Sequence, residues 1–213
     1  MADAKSTARF GLAIWFSLAG PYVSAQTDDY LLGDAPRAPT QAEAAEMLLV
    51  VPVPFDTMGG FTVDTSVREE IRLFHNAVYL ASEGIAMDWT GDATTCLAGT
   101  TAQPHIDSVT RRINYFRALA GVPAVIGFSP VNNAKDQQAA LMMSVNDALS
   151  HYPPTTWTCY TTEGAEAAGK SNLAIGRAGA DAVSAYIEDF GDNNAAVGHR
   201  RFVLYPQTQT MGT

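Results

Sequence analysis

Two histidines carry most of the chemistry this sequence could perform. His199 stands in Gly198-His199-Arg200, just after the polar turn Gly191-Asp192-Asn193-Asn194. An amphipathic stretch, Asp181 to Phe190, precedes that turn and supplies carboxylates. Upstream, His151 closes another helical pattern in Leu149-Ser150-His151. Two imidazoles and a carboxylate on neighbouring elements are the donor set of a three-ligand zinc site that keeps a fourth position for water. Such a site polarises a carbonyl or makes hydroxide near neutral pH, provided that outer groups hold each ring in one tautomer. The same side chains could instead form a hydrogen-bonded polar plug inside the domain.

Other chemistries have less support. Gly164-Ala165-Glu166-Ala167-Ala168-Gly169-Lys170-Ser171 spells a P-loop letter for letter. A working P-loop needs a helix that opens at its Lys-Ser end, so that N-terminal amides meet phosphate. Gly176 and Gly179 interrupt any helix there. No G-x-S-x-G elbow exists, since Pro130 and Val131 break the nearest approach, and there is no H-E-x-x-H. Cys96 and Cys159 are an even pair. In an exported chain they favour a disulfide over a metal site, with two buried free thiols as the alternative. Neither lies in a C-x-x-C pair, so a catalytic thiolate is not expected.

The start of the chain reads as an export signal. Lys5 and Arg9 precede an apolar run from Phe10 to Leu18, and Val23-Ser24-Ala25 offers small residues for cleavage. That run is too short to span a bilayer, which takes about 20 residues. Residues 1–25 are therefore expected to be a signal peptide, leaving no transmembrane anchor and a secreted or periplasmic protein. Cleavage would lower Lys plus Arg from 13 to 11 and Asp plus Glu from 22 to 21, for a net charge near −10. An acidic chain without a basic stripe is a poor nucleic-acid partner.

The elements that must position the histidines follow. Residues 26–39 read as an acidic, Pro-punctuated linker, and residues 40–100 as a helical extension. Thr40-x-x-Glu43 and Ser66-x-x-Glu69 are capping boxes, opening helices to about Val51 and over residues 66 to about 83. His75, beside the second helix's apolar stripe, is expected to be satisfied or solvent-facing. The main domain, residues 101–213, begins with a helix capped by Asp107 and ended by Gly121 and Pro123. A second helix is expected from about Asn133 to Leu149, with Ala134, Gln138, Leu141, Val145 and Leu149 inward. Asp181 to Phe190 is the third, with Val183, Tyr186, Ile187 and Phe190 inward. Trp157 to Thr162 and Arg201 to Tyr205 read as strands, and Gly164 to Gly169 as a loop. The abrupt end at Met211-Gly212-Thr213 suggests truncation.

These residues resemble the CAP superfamily, the SCP domain of cysteine-rich secretory proteins, antigen-five allergens and pathogenesis-related proteins. The resemblance runs from about Asp107 to Thr213 and is of bacterial type. It rests on Arg112-Ile113-Asn114-Tyr115-Phe116-Arg117, Gln137-Gln138-Ala139-Ala140, Leu149-Ser150-His151, Ser171-Asn172-Leu173 and Gly198-His199-Arg200. It implies an α+β fold, an α-β-α sandwich with a small antiparallel sheet between helices. It also implies a cavity of two histidines and two acids that can hold a divalent metal such as zinc. His151 and His199 match the histidines, and Asp189, three residues after Tyr186, matches one acid. Ser171 replaces the other, before Asn172, and serine is a poor zinc ligand. Ser171, Asn172 and Asn194 are candidate supporting groups, with Asn194 as a cap of the turn before His199. Glu188, next to Asp189 but turned about 100° away on a helix, should face solvent.

Three functions compete. The resemblance favours a secreted, non-enzymatic binding module for a lipid, sterol or protein, with a metal as an optional component. A metal-dependent extracytoplasmic hydrolase using His151, His199 and Asp189 is the second. A structural domain docking into a larger assembly is the third.

Overall fold

The computed structural model describes residues 31–34 and 60–213. The expected signal peptide and the first capping box lie outside these residues. An N-terminal helix, α1 (Arg68–Phe74), continues through a wider turn, His75–Tyr79, and a tighter one, Leu80–Ser82. Two long helices follow, α2 (Gln103–Leu119) and α3 (Pro130–Asn146). After them come α4 (Thr162–Ala168), α5 (Gly179–Glu188), the single turn α6 (Asn193–Ala196) and α7 (Gly198–Val203). Four two-residue strands accompany them: β1 (Leu31–Leu32), β2 (Gly127–Phe128), β3 (Ala174–Ile175) and β4 (Thr210–Met211). β1 pairs antiparallel with β3, Leu31 opposite Ile175, while β2 pairs parallel with β4, Gly127 opposite Thr210. The class is α+β, with helices dominant.

One apolar cluster holds Val109 and Ile113 of α2, Ile126, Val183 of α5 and Val203 of α7. A second joins Ala139 and Met143 of α3 to Ala167 and Ala168 of α4 and to Leu173. Buried polar side chains fasten the first. Arg117 is fully buried, and its guanidinium donates to the carbonyls of Pro123 (2.6 Å), Val203 (2.8 Å), Tyr205 (3.0 Å) and Thr208 (3.2 Å). Asn114 exchanges two hydrogen bonds with the backbone of Ile126. Arg112, also fully buried, lies 3.6 Å over the Tyr79 ring and donates to Ser82 and Ser184. These contacts pin the N-terminal helical segment to α2 and α5. His75 is satisfied as expected, stacking on Tyr79 and facing the Tyr115 hydroxyl.

Several elements differ from the sequence reading. Part of the expected linker is β1, paired with the domain. The Ser66 capping box does not form, because Asp64 accepts from both the amide and hydroxyl of Ser66, and helix α1 starts after Val67 without a side-chain cap. Helix α2 starts earlier than Asp107, at Gln103, where Pro104 suits a first-turn position. Helix α3 is capped by Ser129 and stops at Asn146, so Leu149 lies outside it, and Ala134 is exposed. Trp157 to Thr162 forms turns rather than a strand; Thr161 caps α4, which occupies the expected loop. Gly164 is tolerated in that helix because a Cβ there would come within 2.9 Å of Met142 Cε and 3.1 Å of the Ala139 nitrogen, so its absence lets α4 close on α3. Arg201 to Val203 belongs to helix α7, and Phe190 is 55% exposed rather than inward. Cys96 and Cys159 form a disulfide that ties the 88–100 loop to the segment between α3 and α4.

Candidate functional site

Helix α5 ends in a left-handed residue, Asp189 (φ 53°), which turns the carboxylate back into the interior. The chain then makes α6 and passes through Val197, also left-handed (φ 46°). That conformation costs a residue with a Cβ about 1–2 kcal/mol. It is held by Val197 N–H donating to Asn193 and by Arg201 N–H donating to Val197, and it delivers His199 into the core. His199 and Asp189 are both fully buried. His199 Nδ1 donates to Asp189 Oδ1 at 2.8 Å, an acceptor-only carboxylate oxygen that fixes the orientation of the ring. Asp189 Oδ2 also accepts from the Arg200 amide at 3.3 Å.

The ring's surroundings are polar. Tyr186 stacks on His199 with centroids 5.8 Å apart, and its hydroxyl donates to the Asn172 carbonyl. The Asn172 side chain donates to the His199 carbonyl at 3.1 Å. His199 Nε2 and Asn172 Oδ1 are buried polar atoms without a hydrogen-bond partner in the protein. Such atoms ordinarily mark a place for a hydrogen-bonding partner, often a water.

A carboxylate that the sequence reading did not single out adjoins this cluster. Ser171 donates to Asp136 Oδ1 at 3.2 Å, so α3 brings an acid to the position where the resemblance implies one and the chain has serine. Burial raises the Asp136 carboxyl from its ordinary 3.8 to about 6, with the Ser171 hydroxyl pulling the other way. Tyr186 is pushed up as well, first by burial and then by the charge of Asp136.

His151 has other partners. Its Nδ1 lies 2.6 Å from the Ala168 carbonyl oxygen and its Nε2 faces the carbonyl oxygen of Asp34. A neutral ring donates from one nitrogen only, and in either tautomer each nitrogen faces a backbone oxygen rather than an open coordination position. Among the described residues no group of three or more His, Cys, Asp or Glu side chains could hold a metal ion. The donor set His151, Asp189 and His199 therefore does not fit a three-ligand zinc centre in this conformation. Asn194 lies away from the pair too: its carboxamide oxygen accepts from Arg200, which also donates to the carbonyls of Ile187 and Glu188 at the end of α5. Glu188 is exposed. The P-loop spelling has no P-loop geometry, because α4 ends rather than begins near Lys170, whose ammonium pairs with Glu166. An open groove of about 320 Å³ lined by Arg200, Arg201, Leu204, Tyr205 and Pro206 does not include the buried pair.

Residues 110–213 match the model of the cysteine-rich secretory protein family, CAP, and this part of the chain belongs to the CAP superfamily. No curated protein and no solved structure matches the chain. Among the described residues no helix is long and apolar enough to cross a membrane.

Proposed function

We propose that the protein is an exported, non-enzymatic binding module of CAP type. The observation that carries this reading is how the two histidines are used. His151 directs both ring nitrogens at backbone carbonyls, and His199 is locked to Asp189 in the interior. Each ring holds the fold together where a hydrolase would need open coordination and access for substrate. The disulfide is consistent with export, since such bonds persist in oxidising compartments, and the N-terminal signal reading points the same way.

The test is metal content of the full chain, as purified and after dialysis against zinc, beside a His151→Ala/His199→Ala double variant. The expected result is no retained zinc and no difference between the two proteins. Near one zinc per parent chain and none in the variant, together with ester or amide hydrolysis that the parent shows and the folded variant lacks, would overturn this reading in favour of the hydrolase.

A further inference from the structure

The segment Leu31–Asp34 is bound to the domain almost entirely through its backbone. β1 lies antiparallel to β3, Leu31 opposite Ile175 and Leu32 opposite Ala174. The Gly33 amide donates to the Leu173 carbonyl at 3.0 Å, and His151 grips the Asp34 carbonyl. Leu31 is 68% exposed, so its side chain adds little. Leu32 is half-buried, and at Gly33 a Cβ would stand 3.2 Å from Leu173 Cβ, a close contact that favours glycine, and 3.8 Å from Leu149 Cδ1, an ordinary one. Main-chain bonds to β3, whose only strand partner among the described residues is β1, and a close point that favours glycine are the kinds of contact by which proteins take up extended peptides.

We propose that the β3 edge, His151 and the wall formed by Leu173 and Leu149 are a groove for an extended peptide with glycine at its third position. Residues 31–34 are its resident occupant. The proposal rests on the binding-module reading and names the ligand class as polypeptide. It also gives His151 a role other than metal binding, as a donor to the ligand's main-chain carbonyl. Two ladder pairs and two flanking hydrogen bonds make a short, mostly exposed clasp, and short strand contacts of this kind open easily. The tethered segment competes at high effective concentration, so a free peptide gains access only when the clasp is weakened.

The experiment titrates a fluorescently labelled peptide of residues 28–36 into the full-length chain and two full-length variants. Gly33→Val crowds Leu173 and expels the segment. Leu31→Pro removes a ladder donor of the segment itself, opposite Ile175, and serves if Gly33→Val fails to fold. The expected result is at least tenfold tighter peptide binding by either folded variant than by the parent. Adding Ile175→Pro, which removes the ladder donor of the receiving strand, should abolish that binding, and a peptide with valine for glycine should bind more weakly. Equal binding by parent and variants, no binding by any of them, or binding indifferent to Ile175→Pro overturns the proposal. Metal content does not enter this titration, so its failure and the failure of the binding-module reading remain separate results.

Discussion

Replacing Asp136 with asparagine should stabilise the protein at neutral pH and leave it unchanged near pH 4. In the folded chain burial raises this carboxyl from 3.8 to about 6, so the native state holds its proton more tightly than the unfolded state does. Between those values the native state binds more protons, and stability must fall as pH rises through the window. Below about 4 both states are protonated, and above about 6 both are ionised. The full shift, at 1.36 kcal/mol per unit, corresponds to about 3 kcal/mol. Partial exposure of Asp136 and its Ser171 hydrogen bond reduce the realistic effect to roughly 1–2 kcal/mol. Asparagine keeps an acceptor for Ser171 and carries no charge. The assay is urea unfolding of parent and Asp136→Asn, disulfide intact, at intervals from pH 3.5 to 8. The difference between them should open between pH 4 and 6 in favour of the variant and stay constant above. Parallel stability curves across that range would refute the claim that Asp136 is ionised at a cost. A spectroscopic titration adds a check, because removing the charge of Asp136 should lower the Tyr186 phenol from its raised position.

Two further outcomes follow from the fastenings of the fold. Cys96→Ser opens a bridge across a sequence separation of 63 and should destabilise by up to about 4 kcal/mol in the chain-entropy treatment; identical melting in oxidising and reducing buffer would contradict it. Arg117→Met removes the donor shared by four carbonyls and should cost on the order of 3–5 kcal/mol, with faster hydrogen exchange over residues 203–208; a loss below about 1 kcal/mol would show that water replaces the guanidinium.

The long helices were legible because their apolar spacing repeats over several turns. Val109, Ile113 and Phe116 mark the inner face of α2, and Val183, Tyr186 and Ile187 that of α5, as the period requires. Short segments were not legible. Phe202 to Tyr205, behind Arg201, is a short apolar run, a pattern that fits a buried strand and a buried helical turn equally. Packing settled it as helix, which sends Val203 into the core and aims the Val203 carbonyl at Arg117. Gly164 misled in the opposite direction. In an isolated helix glycine is a weak former, and only the approach of α3 explains why it is there. Asp64 displaced Ser66 as the organiser of α1 because an aspartate two residues earlier accepts both the amide and the hydroxyl.

The candidate site divides along the same line. Asp189 and His199 are ten residues apart, joined by one helix end and one turn, and their meeting follows from local geometry. His151 is different, because its partners Ala168 and Asp34 come from distant parts of the chain. Nothing near His151 in sequence announces that a segment 117 residues upstream will take its Nε2. Asp136 escaped notice for the same reason. In the sequence it is one acid on an amphipathic helix, 35 residues from Ser171, and its role appears only once α3 lies against the Ser171 turn. The serine was legible as a missing acid, whereas the acid beside it belongs to tertiary packing. An acidic group therefore adjoins the His199 cluster even though position 171 is neutral, and it is brought there by a helix instead of a loop. A helix-borne carboxylate that burial keeps partly protonated near pH 6 suits hydrogen bonding to a neutral ligand or water better than it suits holding a cation.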